Sequence, residues 1–559
     1  MNRIIVFGMA CMAGMVFGAT MIEESAREIP VAGKADVVVV GGTTAGVAAV
    51  LAAKEAGASV WLLAERPYLG DDMAGTLQLV LPEEVEPQGA LAEALWTDRS
   101  ALLKIISYQT DAETFTPHKD NNPPSVLTDG LASDPVKESV QYNDEKVKIT
   151  ASLDGKQFVA TASAVTFLRQ NEFDVSDVHV SVSEDGKTWS EPIPLTRLPG
   201  ETTEIIRWEA KIGRDVSEIS FVFQRKGGCK RILVGEIACE GKAGVRRVTP
   251  TPLKVKQTFD RALLSAKVKY LTGAFVTDVL SDTNGAFTGV IIADRGGRQA
   301  IIAKTLVDAT PRGLAARLAG SVYPPFNAGK RIFTRFVISG ERPSAEGMDV
   351  TELPGSYQTA VQWRKVDGKE QIIDGKMWRC TFQYDLQDDS YASYAAVEQH
   401  ARNLTFTKQQ LDAGETLVFE REQPLKEAPH VFACFRHQPW KAFAAGGEAG
   451  SRAAADAKIR GAVAQSVGVR CIVTEAPFHA EVCEQLTGLT AYEHASLSVQ
   501  SPKHELPILG EYDVVVAGGG TGGAPAAIGA ARGGAKTLVI EYLHGLGGIG
   551  TLGMIGKYW

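Results

Sequence analysis

The feature that most constrains this chain is a strand–glycine–helix pattern that occurs twice, once near each end. In the C-terminal copy, residues 513–517 (DVVVA) form a short apolar run of the kind found in buried parallel strands. This run leads into residues 518–523 (GGGTGG) and then into small residues typical of a closely packed helix. A strand, a glycine-rich turn and a helix in this order predict a βαβ unit that binds a dinucleotide.

Three glycines and one acid of the C-terminal copy are candidate cofactor ligands. Gly518 is expected to make the tight turn, Gly520 to let the backbone approach a pyrophosphate, and Gly523 to bring the helix close to the strand. The phosphate is expected at the positive N-terminus of the helix. A second predicted strand leads to Glu541, which follows Gly523 by 18 residues, near the spacing of a ribose-binding acid.

The N-terminal copy has the same order of elements. Residues 36–40 (DVVVV) precede a glycine-rich turn, a predicted helix and a second apolar run that ends at Glu65. The candidate cofactor ligands of this copy are Gly41, Gly42, Gly46 and Glu65.

Two features of the N-terminal copy depart from the pattern. Thr43 takes the place of the middle glycine, so a side chain stands where the backbone would approach phosphate. Glu65 follows Gly46 by 19 residues, one more than in the C-terminal copy. Because a shift of one residue turns a strand side chain to the opposite face, we expect Glu65 to be a less secure ribose ligand than Glu541.

Length and composition favour a globular protein of several domains. The chain has 559 residues, of which 45% are hydrophobic and 22% charged, and domains average about 150 residues. The net charge of −8, without a basic run, argues against a nucleic-acid partner. The nine histidines show no spacing typical of a metal site, so no metal ligand is predicted.

Residues 1–19 have a short positive start, an apolar centre and small residues at the end. This pattern predicts a secretory signal peptide and therefore a secreted or periplasmic protein. No later stretch reaches about 18 consecutive apolar residues, so no membrane association is expected after signal removal.

Six cysteines follow the predicted signal peptide: Cys229, Cys239, Cys380, Cys434, Cys471 and Cys483. None belongs to a CxxC pair, so the spacing supports neither an iron–sulfur cluster nor a structural zinc site. Disulfides are compatible with export, and Cys229 with Cys239 is one candidate pair. The sequence alone does not choose among the possible pairings.

Residues 123–241 change character and predict a β-sandwich. Short alternating runs are separated there by Asp-Gly and Pro-Gly turns. Residues 127–130 (LTDG) and 183–189 (SEDGKTW) resemble the galactose-binding-like, discoidin-type domains, which often bind glycans through aromatic residues of their loops. Trp189 is then a candidate sugar platform, and the alternative is that it packs beneath its own turn.

The dinucleotide-binding pattern resumes at a predicted helix over 254–266, followed by strands over 268–271, 274–280 and 305–310. With the two glycine-rich turns, this arrangement resembles the FAD-dependent oxidoreductases that have two dinucleotide-binding domains, including flavoproteins of the heterodisulfide reductase type.

The resemblance implies FAD as the cofactor and adds candidate ligands. Residues 309–310 (Ala-Thr) match a family motif near the flavin phosphate and ribityl chain, with Pro311 in place of its glycine and Asp308 directly before it. Val276 matches the strand whose backbone pairs with adenine. The paired glycines that follow the ribose acid match residues 547–548 but are Gly70 and Asp71 in the first copy.

The expected fold is an α/β Rossmann-type FAD-binding domain in two parts, residues 36–122 and 250–320, with the β-sandwich of residues 123–241 inserted between them. Residues 321–505 are expected to form a mixed α+β substrate-side domain. Residues 511–559 begin a second Rossmann unit and are too few to bury a core alone. Either the chain is a piece of a longer protein, which is the interpretation we favour, or this end packs on the first unit.

The predicted function is that of an exported FAD-dependent oxidoreductase that transfers hydride to or from an unidentified small molecule, with a carbohydrate as one candidate. One alternative is an NAD-linked enzyme, because the fingerprint serves both cofactors. The other is a secreted glycan-binding protein on a decayed Rossmann scaffold. No catalytic residue is assigned, although residues 435–437 (FRH) and His479 are polar candidates.

Overall fold

The computed structural model describes residues 21–98, 101–200, 202–242, 246–358, 365–366, 369–370, 374–462, 468–469, 478–480, 497–543, 545–553 and 555. The predicted signal peptide, Cys471 and Cys483 lie outside these residues. The chain divides into two compact units, a smaller one over Thr97–Val248 and a larger one made of the residues on either side of it. Across the described part of the chain, no helix has the length and apolarity to span a membrane.

A five-stranded parallel sheet forms the centre of the larger unit. Its strands are β1 (Arg27–Val40), β2 (Val60–Ala64), β3 (Lys269–Thr272), β4 (Gly297–Asp308) and β5 (Val431–Ala433). They lie in the order β3-β2-β1-β4-β5. Residues 37–40 of β1 are buried on both faces of the sheet, which is why they form a continuous run of valines. β1 has β2 on one side and β4 on the other, so the direction in which successive strands are added to the sheet reverses at β1.

Three helices cover this sheet: α1 (Thr44–Glu55), α2 (Pro252–Ser265) and α3 (Pro439–Arg460). The predicted helix over 254–266 is confirmed as α2, whose N-cap residue Thr251 accepts a hydrogen bond from the Lys254 amide. The predicted substrate-side range, 321–505, contains β5 and α3, so a part of it joins or covers the central parallel sheet.

Helices α1 and α3 pack through glycine. A Cβ atom on Gly446 would lie 2.1 Å from the Ala45 carbonyl oxygen, and one on Gly450 would lie 2.1 Å from the Ala49 carbonyl oxygen. The backbones of the two helices therefore touch, and no larger residue fits at either glycine.

Antiparallel strands extend the sheet beside β4 and β1. Phe275–Ser281 and Phe287–Asp294 form a meander with β4, and Ser498–Ser501 pairs with the start of β1. The other short elements of the unit are Met21–Glu24, Asp71–Gly75, Ala90–Trp96, Leu314–Leu318, Lys365–Val366, Lys369–Glu370, Gly468–Val469, Phe478–Ala480, His504–Pro507 and Gly548–Gly550.

A separate antiparallel sheet lies within residues 321–505 of the larger unit, the range predicted to form the substrate side. Its four strands are Gly329–Ser339, Met348–Gln358, Asp374–Leu386 and Gln410–Ala413. Helix Tyr391–Thr405 packs on this sheet around Phe333, Phe382 and Val397. The predicted mixture of strand and helix is present here.

The C-terminal copy forms a small β-α-β element. β6 (Val514–Ala517) pairs in parallel with β7 (Thr537–Ile540), and α4 (Gly523–Arg532) connects them. All three elements lie where the sequence pattern predicts them. Val515 and Ile540 are each more than half exposed, at 54% and 55%, so this two-stranded sheet buries little apolar surface.

The smaller unit is an eight-stranded antiparallel sheet that encloses one apolar core. Its long strands, Lys146–Phe167 and Ile205–Arg225, pair with each other, and both ends of each contribute to that core. The unit begins at Thr97, before the predicted residue 123, and its sheet includes strand Ile105–Thr110. The other strands are Val140–Tyr142, Val175–Ser183, Ile193–Pro194, Thr196–Pro199 and Ile232–Glu240, and a short pair, Thr97–Asp98 and Arg246–Arg247, completes the unit.

The candidate disulfide between Cys229 and Cys239 is wrong, because both thiols are free. Cys229 precedes strand Ile232–Glu240, and Cys239 lies near the far end of that strand. The strand rises about 3.3 Å per residue, so it separates the two cysteines by roughly 20 Å, far beyond disulfide reach. Cys239 is buried in the core, which raises the pKa of its thiol to about 12.

The glycine contact between α1 and α3 predicts opposite effects for two neighbouring substitutions. We expect Gly450→Ala to lower the free energy of unfolding by about 1–3 kcal/mol, because its methyl group would meet the backbone of α1. Gly447→Ala is the matched control on the same helix, since a Cβ atom there meets nothing within 4 Å. The control should raise stability by about 0.5–1 kcal/mol through helix propensity. If chemical denaturation gives the same change in the free energy of unfolding for both variants, the close contact between α1 and α3 is contradicted.

Candidate functional site

A cavity of about 630 Å³ lies in the larger unit at the carboxyl ends of β2 and β4. This is where the strand order reverses, the position at which open α/β sheets bind ligands. Its volume is in the range of small-molecule sites. Both candidate ribose acids, Glu65 and Glu541, line it. The other lining residues used below are Arg66, Asp71, Asp72, Phe275, Thr310, Arg312, Tyr394, Glu398, Phe419, Arg421, Phe435 and His437.

The β1–α1 turn has the tight shape expected of a phosphate cradle. Gly41 has a φ of +109°, and a Cβ atom on it would lie 2.8 Å from the Ala309 carbonyl group. A Cβ atom on Gly46 would lie 1.9 Å from the Gly41 carbonyl oxygen. One on Gly42 would lie 2.8 Å from the Cβ of Ala64. The turn therefore depends on glycine at 41 and 46.

Thr43, the residue in place of the middle glycine, caps α1. Its side chain is fully buried. The hydroxyl donates a hydrogen bond to the Ala309 carbonyl oxygen at 2.9 Å and accepts one from the Gly46 amide at 3.2 Å. Thr43 thus joins the start of α1 to the loop after β4. A threonine directly before a predicted helix is an N-cap signal that sequence reasoning could have used.

The Asp72 side chain binds the first turn of α1, next to the cap formed by Thr43. Its Oδ1 accepts hydrogen bonds from the Thr44 amide at 2.8 Å and from the Thr44 hydroxyl at 3.0 Å. Its Oδ2 is buried without a hydrogen-bond partner among the described residues. Burial, and then the neighbouring Asp71, raise the pKa of Asp72, while the bonds from Thr44 oppose this rise. A carboxylate therefore stands at the positive end of α1.

The strand register places Glu65 one residue beyond the usual position of the ribose acid. The Gly41 amide bonds to the Leu63 carbonyl at 2.8 Å, and the Gly518 amide bonds to the Ile540 carbonyl at the same distance. The next residue is Glu541 in the second copy but Ala64 in the first. The structure therefore shows the one-residue offset between Glu65 and Glu541 that the sequence spacing indicates.

Glu65 nevertheless faces the cavity from the end of β2. Burial and then the nearby Asp71 raise the pKa of its carboxyl group to about 7. This carboxyl group can therefore hold a proton near neutral pH.

Asp308 orders the loop that follows β4. Its Oδ1 accepts hydrogen bonds from the Thr310 amide at 2.9 Å and the Thr310 hydroxyl at 2.7 Å. Its Oδ2 accepts one from the Ala316 amide at 2.7 Å. Both oxygens are engaged by the loop and by the helix Leu314–Leu318 that follows it, so the side chain of Asp308 positions the backbone there.

Val276 is buried in strand Phe275–Ser281, where it pairs with Ile292. Just before this strand, the Ala274 amide bonds to the Ala64 carbonyl oxygen at 3.1 Å. The predicted adenine strand therefore starts beside the end of β2, and its first residue, Phe275, lines the cavity.

The second copy has a similar turn with a different helix start. Gly518 has a φ of +94°, a Cβ atom on Gly523 would lie 1.7 Å from the Gly518 carbonyl oxygen, and Gly520 is surrounded by open space. Glu541 accepts hydrogen bonds from the Gly519 and Leu543 amides, which lower the pKa of its carboxyl group. In the described part of the chain, no side chain caps the N-terminus of α4.

The substrate-side wall of the cavity combines aromatic and guanidinium groups that sequence reasoning missed. The Arg421 guanidinium lies 3.3 Å from the ring centre of Phe419 and 5.0 Å from that of Tyr394. Arg312 stacks on Tyr394 at 4.8 Å and forms an ion pair with Asp389 at 3.2 Å. These residues come from distant parts of the chain, and no local pattern marks them.

The remaining polar candidates divide between the cavity and other places. Phe435 and His437 line the cavity, and burial lowers the pKa of His437. Arg436 bonds instead to Gln423 and to the Phe435 carbonyl oxygen. His479 lies in strand Phe478–Ala480, which pairs with Met21–Glu24. Within the described ranges, no three His, Cys, Asp or Glu side chains are arranged to hold a metal ion.

Comparison with known proteins identifies one matching family. The sequence profile described as FAD dependent oxidoreductase matches residues 36–129, 223–470 and 513–558, which is more than half of the chain. No curated protein sequence matches the chain.

Solved structures align with the chain at low identity. A geranylgeranyl bacteriochlorophyll reductase-like protein from Thermoplasma acidophilum aligns over 76% of this chain and 78% of its own, with 11% identity and a TM-score of 0.29. A flavoprotein/dehydrogenase from Cytophaga hutchinsonii aligns over 76% and 79%, with 13% identity and a TM-score of 0.30. The CBM32 of AlyQ aligns over 25% of this chain and 96% of its own, with 15% identity and a TM-score of 0.19.

The buried carboxyl group of Glu65 predicts a pH-dependent stability. Its pKa is about 7 in the folded protein against an ordinary value of 4.5, so the contribution of Glu65 to stability is complete below about pH 4.5 and is lost as the pH rises through about 7. We expect the melting temperature to be lower at about pH 8 than at about pH 5. Glu65→Gln should make this decrease smaller.

The exposed Glu55 on α1 offers a matched control. Glu55→Gln should leave the pH dependence of the melting temperature unchanged. If both variants keep the full pH dependence, Glu65 is not the group responsible.

Proposed function

The chain belongs to the FAD-dependent oxidoreductase family, and we propose that it holds FAD in its larger unit and transfers hydride to or from a small molecule in the cavity. The observation that carries the proposal is the position of this cavity at the carboxyl ends of β2 and β4, beside the glycine turn that precedes α1. A dinucleotide at that turn would have its reactive end directed along the strand ends, towards the substrate-side sheet.

The residues of the first copy fit the cofactor in shape. Gly41 and Gly46 leave no room for a side chain, as expected of a turn that a phosphate must approach. Gly42, together with the backbone of residues 309–310, completes the proposed contact surface. The exception to the fit is Asp72, which bonds to the start of α1.

The proposed mechanism divides the work between cofactor and protein. The flavin ring, when bound, accepts or donates the hydride, and the protein binds and orients the substrate. Tyr394 and Phe419 supply apolar surface that excludes water from the cavity. His437 has a lowered pKa, so its imidazole is neutral at pH 7 and can accept the proton that a substrate hydroxyl loses when its carbon gives up hydride.

We further propose that the protein acts outside the cytoplasm on a carbohydrate. The signal-like residues 1–19 support export, and the likeness of the smaller unit to galactose-binding-like domains supports a glycan ligand. Trp189 is half-buried in its turn, and the Lys148 ammonium lies 5.6 Å from its ring centre. A glycan array with the whole chain and a Trp189→Ala variant tests this part.

The second candidate function is a non-catalytic glycan-binding protein on a scaffold that has lost its cofactor. The carboxylate of Asp72 at the N-terminus of α1 is the observation that favours it, because a negative group there opposes a phosphate. Measuring flavin in the purified protein separates the two functions. A chain that binds NADH instead of flavin would support the NAD-linked alternative.

Matched glycine variants in the two copies identify the copy that holds FAD. Gly46→Ala and Gly523→Ala would place a Cβ atom 1.9 Å and 1.7 Å from the carbonyl oxygen of the preceding glycine turn, so the local damage is comparable. We expect about one FAD per chain, measured by absorbance after release, in the unmodified protein and in Gly523→Ala. The Gly46→Ala variant should lose the bound FAD.

Thermal unfolding of each variant shows whether lost flavin reflects a lost fold. Flavin loss from Gly523→Ala alone would assign the cofactor to the C-terminal copy. A colourless unmodified protein that takes up neither FAD nor NADH would favour the scaffold function.

A further inference from the structure

The N-terminus of α1 already holds a carboxyl group that belongs to the chain, and this group becomes an anion when the pH rises above its raised pKa. The Asp72 carboxylate accepts two hydrogen bonds from Thr44, in the first turn of the helix. Helix N-termini bind phosphate through the same free amides and the same positive dipole. Asp72 therefore already accepts the hydrogen bond from the Thr44 amide that a dinucleotide phosphate would otherwise accept.

A second observation indicates that Asp72 is not there only to complete the fold. Its side chain is 7% exposed and lines the cavity, yet its Oδ2 has no hydrogen-bond partner among the described residues. A buried carboxylate oxygen without a partner costs stability. The capping hydroxyl of Thr43 shows that the same helix end can be satisfied without a charge.

We propose that the Asp72 carboxylate is an internal competitor of the FAD pyrophosphate, and that FAD loads only when this carboxylate withdraws from Thr44. The inference rests on the proposed placement of FAD at the first copy. Two negative groups cannot share one helix end without repulsion. Loading therefore requires the hydrogen bonds from Thr44 to pass from one anion to the other.

The loop that carries Asp72 is fixed while its side chain faces the cavity. The Gly70 amide bonds to the Gly42 carbonyl oxygen at 2.6 Å, and the Thr76 hydroxyl bonds to the Asp72 carbonyl oxygen at 2.7 Å. The first bond holds the segment against the β1–α1 turn, and the second fixes the backbone within the segment. Withdrawal is therefore a rotation of the side chain into the cavity.

The charges around Asp72 make this exchange sensitive to pH. The acids that face this region are Glu65, Asp71, Asp308 and Glu415, and the base is Arg66. Burial and the excess of acids favour the neutral form of Asp72. A neutral carboxyl group binds the Thr44 amide more weakly and does not repel phosphate, so FAD affinity should rise as the pH falls.

The test is FAD binding to the full chain, measured as a dissociation constant by calorimetry at about pH 6 and about pH 8. The unmodified chain should bind FAD roughly tenfold more weakly at the higher pH, because the raised pKa of Asp72 lets it hold a proton at about pH 6 and lose it by about pH 8, and a linked proton changes affinity by about tenfold per pH unit only above that pKa. Asp72→Asn keeps the size of the side chain and removes its charge. This variant should bind FAD at least about tenfold more tightly at about pH 8 than the unmodified chain, with little pH dependence.

Asp71→Asn is the matched control, because it removes a charge from the same loop without touching Thr44. Because Asp71 helps to raise the pKa of Asp72, the pH dependence of FAD binding should persist in this variant, with its midpoint moved to a lower pH. Thr44→Val is a second variant, which removes one of the two hydrogen bonds to the carboxylate and should also tighten FAD binding. A melting curve for each protein shows that it is folded.

The outcomes separate the inference from the proposed function. If the unmodified chain and Asp72→Asn bind FAD with the same affinity and the same pH dependence, the competitor role is overturned and the proposed FAD site stands. If none of the folded proteins binds FAD at either pH, the proposed site and the competitor role fail together. Equal tightening by Asp71→Asn and Asp72→Asn would overturn the specific contact with Thr44.

Discussion

The hydrogen bonds at the N-terminus of α1 join three segments that are far apart in the sequence. Thr43 bonds to Ala309 after β4, Asp72 bonds to Thr44 from the loop after β2, and Gly70 bonds to Gly42 in the turn itself. The cavity lies directly beside these contacts. The shape of the cavity beside α1 therefore depends on which groups accept hydrogen bonds from the amides at the start of this helix.

The local elements of the fold could be predicted from the sequence, and the contacts between distant segments could not. The valine run of β1, the glycine turn and the amphipathic pattern of α2 are encoded by neighbouring residues, and all lie where expected. β5 joins the parallel sheet and α3 covers it, although both lie beyond residue 430. The contact between α1 and α3 depends on Gly446 and Gly450, and a helical pattern alone does not predict their role. Asp72 lies in the π-helical turn Asp71–Gly75 and Arg421 lies in an irregular segment, and only the folded chain defines the partners of both residues.

The two glycine-rich copies show how similar turns can carry different chemistry. In the first copy Thr43 and Asp72 satisfy the helix, and Ala64 stands in the register position of the ribose acid. In the second copy Gly520 is open, no described side chain caps α4, and Glu541 follows its strand directly. A glycine fingerprint alone therefore predicts the turn, while the groups that face a ligand are set by residues outside it.

The pairing of α1 with α3 has a consequence for the order in which the chain is made. The parallel sheet begins with β1 at Arg27, but β5 begins at Val431 and the helix that covers α1 ends at Arg460. The smaller unit, residues 97–248, emerges from the ribosome between them and can complete its own core first. During synthesis the first valine strand and α1 must therefore wait for hundreds of residues before their apolar surface is covered. Contacts of such sequence separation slow folding and leave early segments open to aggregation, so the larger unit is the part of this protein that most needs protection by chaperones.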